Sequence, residues 1–255
     1  MGKCALVTGA GTGIGRGIAL TLAEAGYDVG VHYRSSELGA AEVCHRIRGM
    51  GRRAEVYQAD LTSLTQIEDM FHTYRADFGA PDVFVNNAGI TKKAPFLKTT
   101  PALFDEVCGT DFRGAFFCIQ NAAKLMIEEE IRGSIVLIAS NNAAAHFADV
   151  SVYGSVKAAA VKLAEHAALE LSPLGIRVNI VSPGWTDTGA VRLGKPEDTY
   201  YKVPLHRWAT PEEIGKTVLF LCGDAAASIT GANLVVDGGA LLQSDKPSAY
   251  GFSEV

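Results

Sequence analysis

Seven short apolar runs alternate with stretches of helical periodicity along this chain. The runs are Cys4–Val7, Val29–Tyr33, Ala54–Tyr57, Val83–Val85, Ile135–Ala139, Val178–Val181 and Leu234–Val236. Most lack a clean polar/apolar alternation, as strands covered on both faces do. The helical patterns cover Ile14–Ala25, Leu38–Met50, Leu64–Phe78, Pro101–Glu130, Ser151–Leu171 and Pro211–Leu221. Gly26, Gly51 and Gly79 stand where a left-handed helix stop is expected. This alternation predicts an α/β fold: one doubly wound parallel sheet of about seven strands, with helices on both faces and right-handed crossovers. Residues 1–243 are expected to form that single domain, and 244–255 a polar tail carrying Pro247 and Gly251.

Composition narrows the function classes. Hydrophobic residues make up 48% and charged residues 20%, which excludes a wholly disordered chain. A net charge of −5 argues against a broad nucleic-acid-binding surface. Five cysteines without a Cys-x-x-Cys pair read as reduced thiols of a cytoplasmic protein, and the histidine spacing suits no zinc site. No apolar stretch has the length of a membrane span, and the first strand begins at Cys4, so neither a membrane nor a secretory leader is expected.

The first run leads into Thr8-Gly9-Ala10-Gly11-Thr12-Gly13-Ile14-Gly15, and a helical pattern follows. Glycines in such a turn let backbone approach a ligand, and the helix N-terminus behind them offers free N–H groups to a pyrophosphate. Between a strand and a helix, the turn points to a Rossmann-like dinucleotide site. An NAD site commonly closes the second strand with an acid that holds the ribose hydroxyl. Here Tyr33, Arg34, Ser35 and Ser36 follow His32, with no acid. Arg34 suits a 2′-phosphate, with hydroxyls from Ser35 and Ser36, although Ser36 also suits a helix cap. NADP(H) is therefore favoured over NAD(H), which stays possible.

Tyr153 and Lys157 stand four residues apart and so share a helix face. Ser140 lies at the carboxyl end of the fifth run, where ligands of such sheets bind. With Asn86-Asn87-Ala88-Gly89, Pro183-Gly184 and Val236-Asp237-Gly238-Gly239 in this order, the chain resembles the short-chain dehydrogenase/reductase family over nearly all of Lys3–Leu242.

That resemblance implies an oxidoreductase that interconverts a secondary alcohol and a ketone by hydride transfer. Tyr153 is then the general acid/base, and Ser140 donates to the substrate oxygen. Lys157 lowers the phenol's proton affinity and holds the nicotinamide ribose. Bringing a phenol from about 10 to neutrality takes about 4 kcal/mol. One ammonium about 4 Å away supplies roughly that at an effective dielectric of about 20. For the cofactor, the resemblance implies Gly9, Thr12, Gly13, Ile14 and Gly15 of the turn, and Tyr33, Arg34 and Ser35. It also implies Asp60 and Leu61 near adenine, then Asn87, Ala88 and Gly89. Tyr153, Lys157, Pro183, Gly184, Thr186 and Thr188 serve the nicotinamide end. One position departs from the family: Asp111 stands where Asn is common, keeping the backbone carbonyl, losing an amide donor and able to raise the Lys157 pKa.

Asn141, Asn142, His146, Phe147, Trp185 and the stretch Val191–Trp208 are expected at the substrate mouth. Asn142 and His146 suit hydroxyls, whereas Phe147 and Trp185 suit a flatter apolar body. Sugars, polyols, small keto compounds and steroids stay open. The competing reading is a catalytically weak or inactive NADP(H)-binding regulator. Enoyl reduction ranks lower, because enoyl reductases of this fold space Tyr and Lys more widely. The resemblance also implies a homo-oligomer, commonly a tetramer.

Overall fold

The computed structural model describes residues 2–189 and 202–242. Seven strands form one sheet in the order β3-β2-β1-β4-β5-β6-β7, and every neighbouring pair is parallel. They are β1 (Cys4–Val7), β2 (Asp28–Tyr33), β3 (Ala54–Gln58), β4 (Val83–Asn86), β5 (Ser134–Ile138), β6 (Arg177–Pro183) and β7 (Asn233–Val236). The helices are α1 (Gly13–Glu24), α2 (Glu37–Gly49), α3 (Leu64–Phe78), α4 (Pro101–Cys108), α5 (Ala115–Glu128), α6 (Ser151–Leu171) and α7 (Pro211–Cys222).

Side chains alternate across a strand, so one β1 feeds two cores. Ala5 and Val7 join Val29, Val31, Val83, Val85, Val136 and Ile138 beneath α1, α2 and α7. Cys4 and Leu6 join Phe84, Ile135, Leu137 and Ile180 beneath α3, α5 and α6. A buried stripe of Ala160, Ala164 and Ala168 lies on α6 within that second core. The edge strands behave differently: in β3 Glu55, Val56 and Gln58 are exposed, and β7 exposes Asn233 and Val235. Thus β7 packs Leu234 and Val236 on the core and turns Asn233 and Val235 outward, whereas β3 buries only Ala54 and Tyr57, one on each face.

From β1 the chain winds outward through β2 to β3, then returns to β4 on the other side of β1. The carboxyl ends of β1 and β4 consequently diverge into opposite loops and open a crevice, where α/β sheets bind ligands. The expected long helix over 101–130 is interrupted. Gly109–Gly114 form a π-helical turn between α4 and α5, and the helix ends at Glu128. Ser36 stands at the N-cap position of α2 without a side-chain cap bond. Among the described residues no helix is long and apolar enough to cross a membrane. The expected tail at 244–255 and residues 191–201 of the expected lid lie outside the described residues.

Candidate active site

The turn after β1 is held by the His32 side chain of β2 on one side and by Asn87, just past β4, on the other. The Gly9 N–H donates to His32 Nδ1 at 3.0 Å, and His32 Nε2 meets the Ala59 carbonyl at 3.0 Å. Those partners require a neutral ring with its proton on Nε2. Burial agrees: desolvation lowers the His32 pKa to about 4, against smaller opposing effects of the Ala59 bond and the Asp60 charge. On the other side the Thr8 hydroxyl accepts from Asn87 N at 2.9 Å and Ala88 N at 3.0 Å. Asn87 Nδ2 donates back to the Thr8 carbonyl at 2.9 Å. Gly9 and Gly13 adopt φ of +64° and +54°, a region L side chains avoid, and a Cβ on Gly15 would collide with the Gly9 carbonyl.

The resulting crevice encloses about 550 Å³. Gly9, Thr12–Gly15, Tyr33–Ser35, Asp60, Leu61, Asn87–Gly89 and Thr188, all singled out in the sequence, line it. Arg34 is exposed at its rim. Asp60 is half-exposed, and its carboxylate accepts from Thr62 N at 2.9 Å and Thr62 Oγ1 at 2.8 Å. Its pKa is held down chiefly by the Thr62 backbone bond, with the Thr62 hydroxyl and the Arg34 charge adding to it against desolvation.

A second cavity of about 470 Å³ shares Ile14, Thr91 and Thr188 with the first, so the two adjoin. Ser140, Tyr153, Gly184 and Thr186 line it, together with Asn141, Asn142, Phe147, Trp185 and Trp208. Pro183 is buried at the end of β6 and pairs with Val236. His146 is exposed and lines neither cavity. The residues present fit a dinucleotide: the first crevice is floored by close-approaching glycine backbone, and the buried Thr110 hydroxyl in its lining lacks a partner.

Tyr153 and Lys157 share one face of α6, as their spacing requires, while Val152 and Val156 pack against Val107 of α4. Lys157 Nζ lies 5.6 Å from the Tyr153 ring centre. It also donates to the Ile138 carbonyl at 3.3 Å and pairs with Asp111 Oδ2 at 3.2 Å, both side chains being buried. The other Asp111 oxygen accepts the Ile90 N–H at 2.8 Å. Desolvation alone would lower the Lys157 pKa, but the Asp111 charge, the Tyr153 charge and the Asp111 bond together raise it above the usual lysine value. An ammonium has three protons. Two are committed, to Ile138 and Asp111.

The π-helical turn is what delivers Asp111 to this pair, and such turns recur at functional sites. Gly89 makes room for it: a Cβ there would stand 2.7 Å from Asp111 Oδ2 and 3.1 Å from Lys157 Nζ. The structure brings Asp111, singled out in the sequence, to within 3.2 Å of Lys157 Nζ; the sequence reading took His32 only as part of a strand and passed over Thr110. A polar ring inside the apolar run Val29–Tyr33, beside a glycine-rich turn, was the signal available for His32.

A family described as enoyl-(acyl carrier protein) reductase matches residues 9–240. A curated relative, the 3-oxoacyl-[acyl-carrier-protein] reductase FabG of Staphylococcus epidermidis, is 37% identical over 242 residues, covering 94% of this chain and 99% of its own. The chain belongs to the short-chain dehydrogenase/reductase family. It is thus an NAD(P)-binding oxidoreductase of the Rossmann type. The short-chain dehydrogenases among solved structures agree in shape. Acetoin dehydrogenase YohF from Salmonella typhimurium superposes with a TM-score of 0.91 at 33% identity, covering 97% of this chain and 99% of that one. A short-chain dehydrogenase from Burkholderia cenocepacia, solved in complex with NADP, superposes at 0.88 and 33% identity, covering 94% and 98%.

Proposed function

We propose that the chain is an NADP(H)-dependent alcohol dehydrogenase/ketoreductase in which Tyr153 is the general acid/base. The observation that carries this reading is that Ser140 and Tyr153 together line the substrate-side cavity, with the buried Lys157 Nζ 5.6 Å from the Tyr153 ring centre. When bound, the dinucleotide supplies or accepts the hydride. Ser140 binds the carbonyl oxygen, and Tyr153 gives that oxygen its proton as it becomes an alcohol. In the reverse direction Tyr153 takes the proton back. Lys157 keeps positive charge beside the phenol, which favours its deprotonated form. The NADP preference is supported by Arg34, the missing acid at the end of β2 and the NADP bound by the Burkholderia relative. Arg34 and Ser35 would hold the 2′-phosphate, Asp60 and Leu61 the adenine, Asn87–Gly89 the adenosine side, and Pro183, Gly184, Thr186 and Thr188 the carboxamide end.

Carbonyl reduction is preferred to enoyl reduction because the named relatives include a 3-oxoacyl reductase and an acetoin dehydrogenase, both acting on a carbonyl or its alcohol. One observation favours the regulatory alternative: the Asp111 carboxylate draws on the charge that Lys157 offers Tyr153. Ketones assayed with NADPH and NADH by absorbance of the reduced nicotinamide decide between them. Turnover should fall at least about 100-fold in Tyr153→Phe. Turnover undiminished in that variant would remove Tyr153 from the chemistry, and no turnover of any ketone would leave the regulator.

The same reading includes self-association. Phe96, Phe104, Phe112 and Phe116 are exposed along the α4–α5 side, and two shallow apolar grooves run between that side and α6. A second copy of the chain would cover this face. Sedimentation of the wild type against Phe116→Glu tests it, with a loss of mass expected in the variant.

A further inference from the structure

A turn rich in glycine has to be held in one arrangement by its surroundings, because glycine imposes none of its own. Three successive N–H groups at the start of this turn are spent inside the protein. Thr8 N donates to the Val85 carbonyl at 3.0 Å, Gly9 N to His32 Nδ1 at 3.0 Å and Ala10 N to the His32 carbonyl at 2.8 Å. The first backbone bond of α1 runs from Arg16 N to the Thr12 carbonyl at 3.1 Å, and Thr12 makes no side-chain cap bond. The N–H groups of Gly13, Ile14 and Gly15 therefore have no intrahelical partner, and all three residues line the dinucleotide crevice.

Two of the inward bonds end on backbone carbonyls of β4 and β2, which the sheet fixes. The third ends on a side chain. The His32 ring is 1% exposed and donates from Nε2 to the Ala59 carbonyl at 3.0 Å, so it is clamped between the exits of β1 and β3. Through Gly9 the ring also reaches α1. The Gly9 carbonyl accepts from Asn87 Nδ2 at 3.2 Å and lies so close to Gly15 that no Cβ fits there. Released from Nδ1, Gly9 would share its population among several arrangements, and affinity falls by the fraction that no longer builds the site.

We propose that His32 is a positioning residue for the dinucleotide: its Nδ1 holds Gly9 in the arrangement that seats the first turn of α1 against the pyrophosphate. The proposal rests on dinucleotide binding alone and not on the alcohol–ketone reading.

An Asn side chain reaches as far as Nδ1 and a Gln side chain as far as Nε2, so the two ring bonds can be removed one at a time. His32→Asn keeps an acceptor for Gly9 and loses the Ala59 bond, whereas His32→Gln keeps a donor for Ala59 and loses the Gly9 bond. NADP⁺, NAD⁺ and adenosine 2′-monophosphate are titrated by calorimetry into both variants and the wild type. The two dinucleotides share the pyrophosphate, so both should bind His32→Gln at least about tenfold more weakly, by the same factor. Both should bind His32→Asn within about threefold of the wild type. Adenosine 2′-monophosphate, which has no pyrophosphate, should change by less than about threefold in either variant. Tm should fall in both, since each loses one buried bond, so that affinity and stability separate. Dinucleotide affinity retained in His32→Gln, or lost equally in His32→Asn, overturns the proposal. So does a parallel loss of adenosine 2′-monophosphate, which would make His32 a general support of the fold. None of these titrations uses a ketone, so failure of the alcohol–ketone reading leaves their outcome intact.

Discussion

Replacing Asp111 by Asn should shift the pH dependence of turnover, and the geometry sets the size. Asp111 Oδ2 stands 3.2 Å from Lys157 Nζ, which stands 5.6 Å from the Tyr153 ring centre, so the carboxylate is within about 9 Å of the ring. At that distance and an effective dielectric of about 20, a unit negative charge disfavours a second one by about 1.8 kcal/mol. That is about 1.3 pH units. Asn keeps an oxygen for the Ile90 N–H and removes the charge. The ascending limb of kcat/KM for alcohol oxidation should therefore move toward acid by about one pH unit or more in Asp111→Asn, with rates roughly tenfold higher below the wild-type limb and little changed above it. The variant should also be less stable, because a buried ammonium loses its counter-ion. A loss of about 3 kcal/mol corresponds to roughly 6–12 °C in Tm. The profile is measured by absorbance of the reduced nicotinamide, well below the variant's Tm. A limb that stays in place or moves toward alkali refutes the electrostatic argument, whatever happens to Tm.

Arg34→Ala should raise KM for NADPH at least about tenfold with little change for NADH; equal loss with both cofactors would refute the 2′-phosphate assignment. Gly89→Ala forces a methyl between Asp111 and Lys157, so kcat should fall while KM for the dinucleotide moves less, as steady-state kinetics would register. His32 makes stability pH-dependent. Its pKa is about 4 folded against 6.5 unfolded, so the unfolded chain binds the proton first as pH falls. The stability this confers is complete above about pH 6.5 and is lost on the way down to about pH 4, roughly 3 kcal/mol in all. His32→Asn, which keeps one acceptor and one donor, should flatten Tm against pH over that window, and an unchanged slope would place the effect elsewhere.

The sheet was legible because its signals are local. Five strands carry apolar residues on both faces, and their lengths and order follow from runs in the sequence. The edges were less legible: β3 and β7 have one neighbour each, and nothing in Ala54–Gln58 says which neighbour is missing. Tyr153 and Lys157 could be paired because helical spacing alone puts them on one face. The contact between Lys157 and Asp111 could not, since it depends on a π-helical turn whose extra residue has no clear mark in the sequence. Gly109 and Gly114 bracket that turn, and Gly114 lies where a Cβ would meet the Leu61 carbonyl at 2.6 Å. Packing against β3's exit, rather than helix propensity, therefore explains the small residue there. His32 was hidden for a related reason. It bonds to backbone groups brought near by a turn, and such partners leave no periodic trace.

The two halves of the site rest on different physics, and this separates their responses to pH. The dinucleotide half is held by neutral hydrogen bonds among Gly9, His32, Thr8 and Asn87. His32 stays neutral until about pH 4, so that half keeps its geometry across the neutral and alkaline range. The catalytic half is held by a buried ion pair beside a phenol, whose balance of charge changes as a proton enters or leaves. Binding and turnover should then respond to pH independently. Dinucleotide affinity, followed by fluorescence of the bound reduced form, should vary less than about threefold between pH 6.5 and 9, while kcat for alcohol oxidation rises through the same interval. Affinity and kcat changing together would mean that one titrating group serves both halves, and the division drawn from these contacts would be wrong.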